Sequence, residues 1–317
     1  MLADGSRHSG NDLAEALGVS RAAIWKQLEA LRELGLTIDG EAGQGYQLQQ
    51  TYEALDAAKI RRSFSDTSAL RSLDLFWEID STNDYLRSKS DLLPGVADVC
   101  VADYQTGGRG RRGRRWVSPP GCGIWLSVAW SWEAPPRDLP ALSLAVGTAV
   151  LKVLQAAGLK DASMKWPNDI YAGDSKLAGI LIDVQGDAAG PIGVVVGLGL
   201  NLEVTDSARK QVREDGGLPP VGLYELGVSA GRNQLLGELL NGIVQTLSGY
   251  AAGGFAPLRE YWCKHDYLRG KDVEVSGREQ KSGIASGVND GGYLLLDTGG
   301  RQELIAAGDV SVRGVRG

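Results

Sequence analysis

Histidine and cysteine are scarce in this sequence. Two histidines, His8 and His265, stand far apart, and three cysteines, Cys100, Cys122 and Cys263, are isolated with no CxxC spacing. That scarcity argues against a disulfide framework and a zinc site, so no protein-bound metal is expected. No apolar run approaches the roughly 18 residues of a membrane-spanning helix. The N-terminus, MLADGSRHSG, lacks the basic-then-apolar layout of a secretory signal. These absences predict a cytoplasmic protein with no membrane partner. A surplus of positive charge is missing too: 33 Lys and Arg against 39 Asp and Glu leave a net charge of −6, which does not suggest bulk attraction to nucleic acid or anionic lipid. Catalysis must then rest on Arg, Lys, Asp, Asn and backbone groups.

What is present begins with length: 317 residues, 43% hydrophobic and 23% charged, enough for about two or three domains with real cores. Residues 9–34 show helical periodicity broken once. Leu13, Ala14 and Leu17 form an apolar stripe, Gly18 and Val19 supply a turn, and Ser20 is placed to cap a second helix whose Ile24, Leu28, Leu31 and Leu34 share a face. LTIDGEAGQGYQLQ then reads as a β-hairpin with a glycine-rich tip. Helix, turn, helix and hairpin make a winged helix-turn-helix pattern, with an amphipathic packing hairpin as the plainer alternative. Residues 1–50 carry four basic side chains against seven acidic ones, unlike most DNA readers. Only MLADG precedes the first recognisable element, so the leading helix of a three-helix module is nearly missing.

Residues 51–69 read as a helical connection and 70–268 as a catalytic domain mixing strands with helices. VCVADYQ, CGIWLSVAW, LAGILIDV and IGVVVGLGLN are strand-like. DLPALSLAVGTAVLKVLQAAG reads as a buried helix capped by Asp138 or its neighbours, and GRNQLLGELLNGIVQTLSGY as another. A sheet faced by helices is α+β. Residues 269–317 hold only short strands with turn signals at Ser276–Gly277, Asn289–Gly292 and Thr298–Gly300, a small β-barrel or meander whose expected job is support or docking.

The sharpest motif is QTGGRGRRGRRW, Gln105–Trp116, with five arginines between positions 109 and 115. Its glycines let backbone N–H groups approach a ligand, and its arginines offer planar forks suited to carboxylate or phosphate. An RGG-like RNA-binding tail is the alternative; the string's shortness and its place between a strand and WVSPPGCGIWLSVAW favour a loop mounted on a sheet. Ser81–Asn83 (STN) precede a helix, where hydroxyls bind a small polar group such as a ureido ring or merely cap. KWPND, Lys165–Asp169, turns on a proline with Asn168 and Asp169 beyond the strand end, and KLAGIL puts Lys176 at the start of an apolar strand, where a lone lysine is usually a solvated edge charge.

STN, YQTGGRGRRGRRW, KWPND, KLAGIL and GLGLN, in this order, closely resemble the bifunctional biotin protein ligase and biotin operon repressor family along nearly the whole chain. The resemblance implies a winged helix-turn-helix, a central mixed-sheet domain like that of class II synthetases, and a small SH3-like C-terminal β-barrel. It implies ATP and Mg²⁺ as cofactors, biotin as substrate, a biotin carboxyl carrier protein as acceptor, operator DNA as a further partner, and a homodimer in the adenylate-bound form. Carried over residue by residue, Ser81, Thr82, Asn83 and Gln105 contact biotin, while Arg109, Gly110 and Arg111 bind it and fold over the intermediate. Lys176 meets the carboxylate and the phosphate under attack; with Arg109 and Arg111 it forms the catalytic set. Gly108, Lys165, Asn168, Asp169 and Asn201 fall to the nucleotide, and Ser20, Arg21, Ala22, Trp25 and Lys26 to DNA. The loop expected to cover the adenylate lies near Asp215–Leu226, where Leu223 and Tyr224 stand in the region of the family's tryptophan. A lipoate or octanoate ligase on the same fold, and a DNA-binding sensor with little ligase activity, are the alternatives.

Overall fold

Two serines start the first two helices: Ser9 accepts from Asp12 N ahead of α1 (Gly10–Leu17), and Ser20 from Ala23 N ahead of α2 (Arg21–Glu33). Each satisfies an N–H that the helix itself cannot. The computed structural model describes residues 1–41, 44–49, 52–89, 91–186, 192–276, 280–306 and 311–314. Gly18 turns the chain in the left-handed conformation at φ 64°. The expected stripe on α1 is shorter than its spacing suggests: Leu13 and Ala14 are buried, but Leu17, at the helix end where Gly18 bends the chain away, is 56% exposed. Ile24 and Leu28 of α2 complete the core with Leu36, Ile38 and Leu48. The hairpin follows as β1 (Ile38–Glu41) and β2 (Gly45–Leu48), antiparallel with Ile38 opposite Leu48; part of its expected glycine-rich tip lies outside the described residues. In place of a leading helix stands one 3-10 turn, Leu2–Asp4.

The connection is less helical than its apolar spacing predicts. Among its described residues the one α-helix is α3 (Ala57–Arg62), with a 3-10 turn at Thr67–Ala69, because a distant segment holds the chain before α3. Asp56 N donates to Asn233 Oδ1 at 2.9 Å, Asn233 Nδ2 to Ala54 O at 2.8 Å and Arg232 Nη1 to Glu53 O at 3.2 Å. Arg232 is itself buried and paired with Asp103.

A seven-stranded mixed sheet carries the middle of the chain. Its strands and helices, in chain order, are β3 (Leu70–Ile79), α4 (Thr82–Arg87), β4 (Ala97–Gln105), β5 (Gly123–Trp132), α5 (Leu142–Ala156), β6 (Ser163–Lys165), β7 (Asp169–Ala172), β8 (Ser175–Gln185), β9 (Ile192–Asn201), α6 (Asp206–Glu214), α7 (Arg232–Gly253) and α8 (Ala256–Lys264). The spatial order is β3-β4-β5-β9-β8-β7-β6, with β3 and β4 parallel and every other pair antiparallel. Every residue of β5 is buried, as expected of a central strand covered on both faces. α4 packs on one face through Leu86 against Cys100, Ala129 and Val195. The main core, with α5 and α7, fills the other.

Two expectations about α5 change. A 3-10 turn, Leu139–Ala141, precedes it, and Asp138 makes no side-chain capping bond; instead its carbonyl accepts from Tyr250 Oη at 2.6 Å. The helical run Leu139–Ala156 also has the length and composition to cross a membrane, although no such run was expected; here Leu142, Val146, Val150 and Leu154 are buried in the core.

The C-terminal strands β10 (Asp272–Ser276), β11 (Lys281–Val288), β12 (Leu294–Asp297), β13 (Gln302–Ile305) and β14 (Ser311–Gly314) form an antiparallel sheet in the order β13-β12-β11-β10-β14. Its Val273, Ala285 and Leu294 join the central core, and Trp166 Nε1 donates to Gly292 O at 3.0 Å. Gly277, in the first expected turn, lies outside the described residues.

Candidate functional site

At the end of β3 the chain enters α4 through Ser81, whose hydroxyl caps the helix by accepting from Asp84 N. Capping therefore occurs, but it leaves Thr82 and Asn83 on the first turn, both buried. Thr82 N donates to Gln105 Oε1 at 2.9 Å, and Thr82 Oγ1 lies 3.1 Å from the same oxygen. This ties the helix start to the end of β4. Asn83 Nδ2 reaches Asp183 Oδ2 of β8 at 3.0 Å. Ser127 Oγ of β5 lies 2.7 Å from Thr82 Oγ1 and 2.6 Å from Asn83 Oδ1. Beneath them β9 supplies glycines for clearance: a Cβ on Gly197 would sit 2.1 Å from Asn83 Oδ1, and one on Gly199 2.4 Å from the Trp116 ring.

The arginine-rich loop is ordered by its own backbone. Gly107 N donates to Asp80 O at 2.8 Å, Trp116 N to Gly108 O at 2.8 Å and Gly110 N to Arg114 O at 2.7 Å. Arg112 adopts φ 59°, the one positive φ at a non-glycine among the described residues, a conformation that costs of order 1 kcal/mol. Arg109 bridges two carboxylates, Asp84 at 2.8 Å and Asp183 at 3.4 Å. Arg111 Nη1 reaches Asn168 Oδ1 at 3.3 Å. Burial pulls the Arg111 guanidinium below its ordinary pKa; Asp169 opposes that shift, and Arg112 and Arg114 add to it. A desolvated cation of this kind is stabilised when an anion enters beside it.

Lys176 stands near the start of β8 with Nζ 2.8 Å from Asp169 Oδ1 and 5.2 Å from the centre of the Trp116 ring. Asp169 Oδ1 is nonetheless buried without an aligned hydrogen-bond donor, so the contact is a charge pairing rather than a directed bond. The backbone of Lys176 is fixed by the loop beyond α6, its N–H donating to Pro219 O at 2.8 Å and its carbonyl accepting from Val221 N at 3.0 Å. Asn168 and Asn201 direct their amide nitrogens to backbone carbonyls, Ile180 O at 2.7 Å and Lys176 O at 3.3 Å. Lys165, buried at the end of β6, lies 3.3 Å from Tyr171 Oη and 4.9 Å from the centre of that ring.

These groups line one cavity of about 770 Å³. Ser81, Thr82, Asn83, Gln105, Arg109, Gly110, Arg111, Lys165, Asn168, Asp169, Lys176 and Asn201 all face it, as do Arg112, Arg114 and Arg115. Gly108, expected at the nucleotide, is not among its lining. A Cβ there would lie 2.5 Å from Trp116 O and 2.8 Å from Ser118 Oγ, so the glycine serves the closure of the loop. Of the segment expected to cover an adenylate, Asp215–Leu218 and Pro220 line the cavity with Val212 of α6. Leu223 is buried and Tyr224 directs its hydroxyl to Ala230 O at 3.4 Å; neither lines the cavity.

Sequence reasoning missed Trp116 as a wall, Asp183, and Ser127 beneath Thr82 and Asn83. A lone carboxylate in ILIDV and a serine inside GIWLSVAW, each polar in an apolar strand, were the available signals. The second set of expected residues lies elsewhere. Ser20, Arg21, Ala22, Trp25 and Lys26 are exposed at the start of α2, Trp25 by 58%. Arg7 and Arg32 are held by Asp39 and Glu29, which leaves Arg21 and Lys26 as the outward basic groups of the N-terminal unit. No group of three His, Cys, Asp or Glu side chains that could hold a metal occurs among the described residues.

Three families match the chain in succession: an HTH domain over residues 1–47, the Biotin/lipoate A/B protein ligase family over 75–201, and the Biotin protein ligase C terminal domain over 270–313. The bifunctional ligase/repressor BirA of Salmonella typhimurium is 37% identical over 316 residues, covering 99% of this chain and 95% of the relative. Its Escherichia coli namesake is 35% identical over 314 residues, with the same coverage. Among solved structures, biotin protein ligase from Aquifex aeolicus in complex with biotin and ATP superposes with a TM-score of 0.64 at 27% identity, covering 77% of this chain and 100% of that one.

Proposed function

The chain belongs to the bifunctional biotin protein ligase and repressor family, and on that premise we propose how its own side chains carry out the work. The protein is a biotin protein ligase: it joins biotin to ATP as biotinyl-5′-AMP, passes the acyl group to a lysine, and acts as a DNA-binding repressor through its N-terminal unit. The observation that carries the site assignment is that Arg109, Arg111 and Lys176 line one cavity with Ser81, Thr82 and Asn83.

The first step brings two anions together, the biotin carboxylate and the α-phosphate of ATP, so the site must supply positive charge. Lys176 neutralises both where they meet, and Arg109 and Arg111 add planar donors in surroundings drier than water, where such charges act more strongly. Pyrophosphate leaves as the carboxylate oxygen bonds to phosphorus. Arg112, Arg114 and Arg115, at the same cavity, suit that leaving anion. Mg²⁺ enters as the chelate of ATP, consistent with its habit of binding through substrate phosphates. Thr82, Asn83 and Gln105 offer the polar pattern a ureido ring needs, and the glycine-cleared wall of Trp116 offers a flat face.

In the second step a neutral lysine amine of a biotin carboxyl carrier protein attacks the mixed anhydride, and AMP departs with the phosphate oxygen. The arginine loop and Asp215–Leu218 exclude water meanwhile. The adenylate-bound form is a homodimer that presents two helices α2 to operator DNA, with Ser20, Arg21, Ala22, Trp25 and Lys26 at the groove. The free thiols of Cys100, Cys122 and Cys263 suit a cytoplasmic setting. The deciding experiment mixes protein, Mg-ATP and a biotin carrier domain with either biotin or lipoate and weighs the carrier. The mass of one biotinyl group, and none with lipoate, is expected. Labelling by lipoate alone would make it a lipoate ligase, and no labelling despite operator protection would make it a sensor.

A further inference from the structure

Ser127 lies outside the cavity lining, on the central strand β5, fully buried at 0% exposure. Yet its hydroxyl is within 2.7 Å of Thr82 Oγ1 and 2.6 Å of Asn83 Oδ1. We infer that Ser127 is a positioning residue that fixes the direction of the hydrogen bonds at the ureido end of the site, turning Thr82 into an acceptor and selecting ligands that present an N–H. The inference rests on the reading of Thr82 and Asn83 as biotin contacts.

A count of protons gives the direction. Asn83 Nδ2 faces Asp183 Oδ2 at 3.0 Å and Leu181 O at 3.5 Å. An ionised carboxylate and a carbonyl only accept, so the nitrogen must lie on that side and the amide oxygen on the other. Gly197 lets the amide seat against β9, where even a methyl group would collide with it at 2.1 Å. The single proton of Ser127 therefore goes to Asn83 Oδ1, which has none to give, and toward Thr82 the serine oxygen accepts. Thr82 is left with two inward acceptors for its own proton, Ser127 Oγ at 2.7 Å and Gln105 Oε1 at 3.1 Å. Two oxygens 2.7 Å apart need a proton between them, and Ser127 has given its own to Asn83, so the Thr82 proton goes to Ser127, with the longer Gln105 contact as its second inward choice; on either one only lone pairs of Thr82 are left for the cavity. A cyclic urea meets those lone pairs with an N–H. An isostere with oxygen in that place meets them with lone pairs of its own, and a polar site rejects such a mismatch far more strongly than a missing methylene.

The test compares ATP–pyrophosphate exchange with biotin and with the two cyclic carbamates in which one ureido N–H is replaced by oxygen. Wild-type protein should favour biotin over the carbamate that faces Thr82 by about 100-fold or more, the loss of a donor opposite an unsatisfied acceptor. In Ser127→Ala the Thr82 proton keeps only the longer contact to Gln105 Oε1, at 3.1 Å, and turns outward at a smaller cost. That preference should shrink about tenfold, with the change in KM for biotin and not in KM for ATP. Asp183→Asn, at a side chain 22% exposed, lets Asn83 reverse and should shrink the preference in the same direction. It carries the test should Ser127→Ala fail to fold. An unchanged biotin-to-carbamate ratio in a folded variant overturns the inference. A wild-type protein that shows no exchange with biotin overturns the parent reading instead.

Discussion

Replacing Lys176 with alanine separates chemistry from packing more cleanly than any other change in this cavity. The side chain is 25% exposed and its partner Asp169 17%, so solvent screens only part of their attraction and the pair stands between the exposed and the buried case. The truncation leaves Asp169 without its cation, and Lys176→Ala/Asp169→Asn removes that complication. Catalysis should respond far more than stability. Lys176 is the cation paired with Asp169 at the cavity, and losing one aligned charge from a partly dry site typically costs about 10²- to 10³-fold in rate. Exchange of labelled pyrophosphate into ATP in the presence of biotin reads the first step alone. Transfer from added biotinyl-5′-AMP to a carrier reads the second. Exchange should fall by about 10²-fold or more in both the single and the double variant, while transfer from the preformed adenylate falls by less than about tenfold, since its anhydride is already made. Wild-type exchange by either variant would refute the assignment of Lys176 to the meeting of the two anions.

Gly199→Ala puts a Cβ 2.4 Å from the Trp116 ring, and Trp116 must move from its seat; KM for ATP or biotin should rise about tenfold or more with a thermal midpoint lowered by a few degrees, and wild-type KM values in a titration of exchange activity would contradict the role of that wall. Asp266, in the connection to β10, is a half-buried residue whose Oδ2 is buried without a partner, and desolvation raises its pKa from 3.8 to about 6. The folded state therefore binds a proton between about pH 4 and pH 6 that the unfolded chain has released, and stability contributed at low pH is lost as pH rises through the folded value. The loss is on the order of 3 kcal/mol. Asp266→Asn should flatten that part of the pH–stability curve measured by urea unfolding, and an unchanged slope between pH 4 and 6 would exclude Asp266 as its source.

Much of the site was legible because it is built from short consecutive strings at strand ends. Ser81–Asn83, Gln105–Trp116, Lys165–Asp169 and Lys176 each carry their chemistry within a few residues, and the sheet order brings four such strings to one cavity. What stayed hidden depends on partners far along the chain. Apolar spacing over residues 51–69 suggests a helix, but Asn233 and Arg232, about 180 positions away, hold residues 53–56 by hydrogen bonds outside any helix and confine the α-helix to Ala57–Arg62. Asp138 looks like a cap, yet Tyr250 and a 3-10 turn set how α5 begins. Leu17 fits the stripe of α1 by spacing alone: Leu13 and Ala14 reach the core, and Leu17 stands exposed where the helix ends at Gly18.

The same long-range logic explains what three glycines of the central sheet do for the site. Gly197 and Gly199 alternate along β9, so both point to one face of the sheet, the face that carries Asn83 and Trp116. Gly179 does the same on β8, where a Cβ would lie 2.9 Å from Trp116 and 3.3 Å from Lys176 Nζ. Across the ladder Gly179 pairs with Gly199, so two adjacent strands are stripped of side chains under one indole. A sheet interior loses stability at such positions, and packing alone gives no reason to accept that loss twice in register. The reason is the space itself: a flat aromatic floor with a lysine beside it needs bare backbone beneath. The spacing of glycines in GLGLN and KLAGIL was therefore evidence about the shape of the cavity, and not only about membership of a motif.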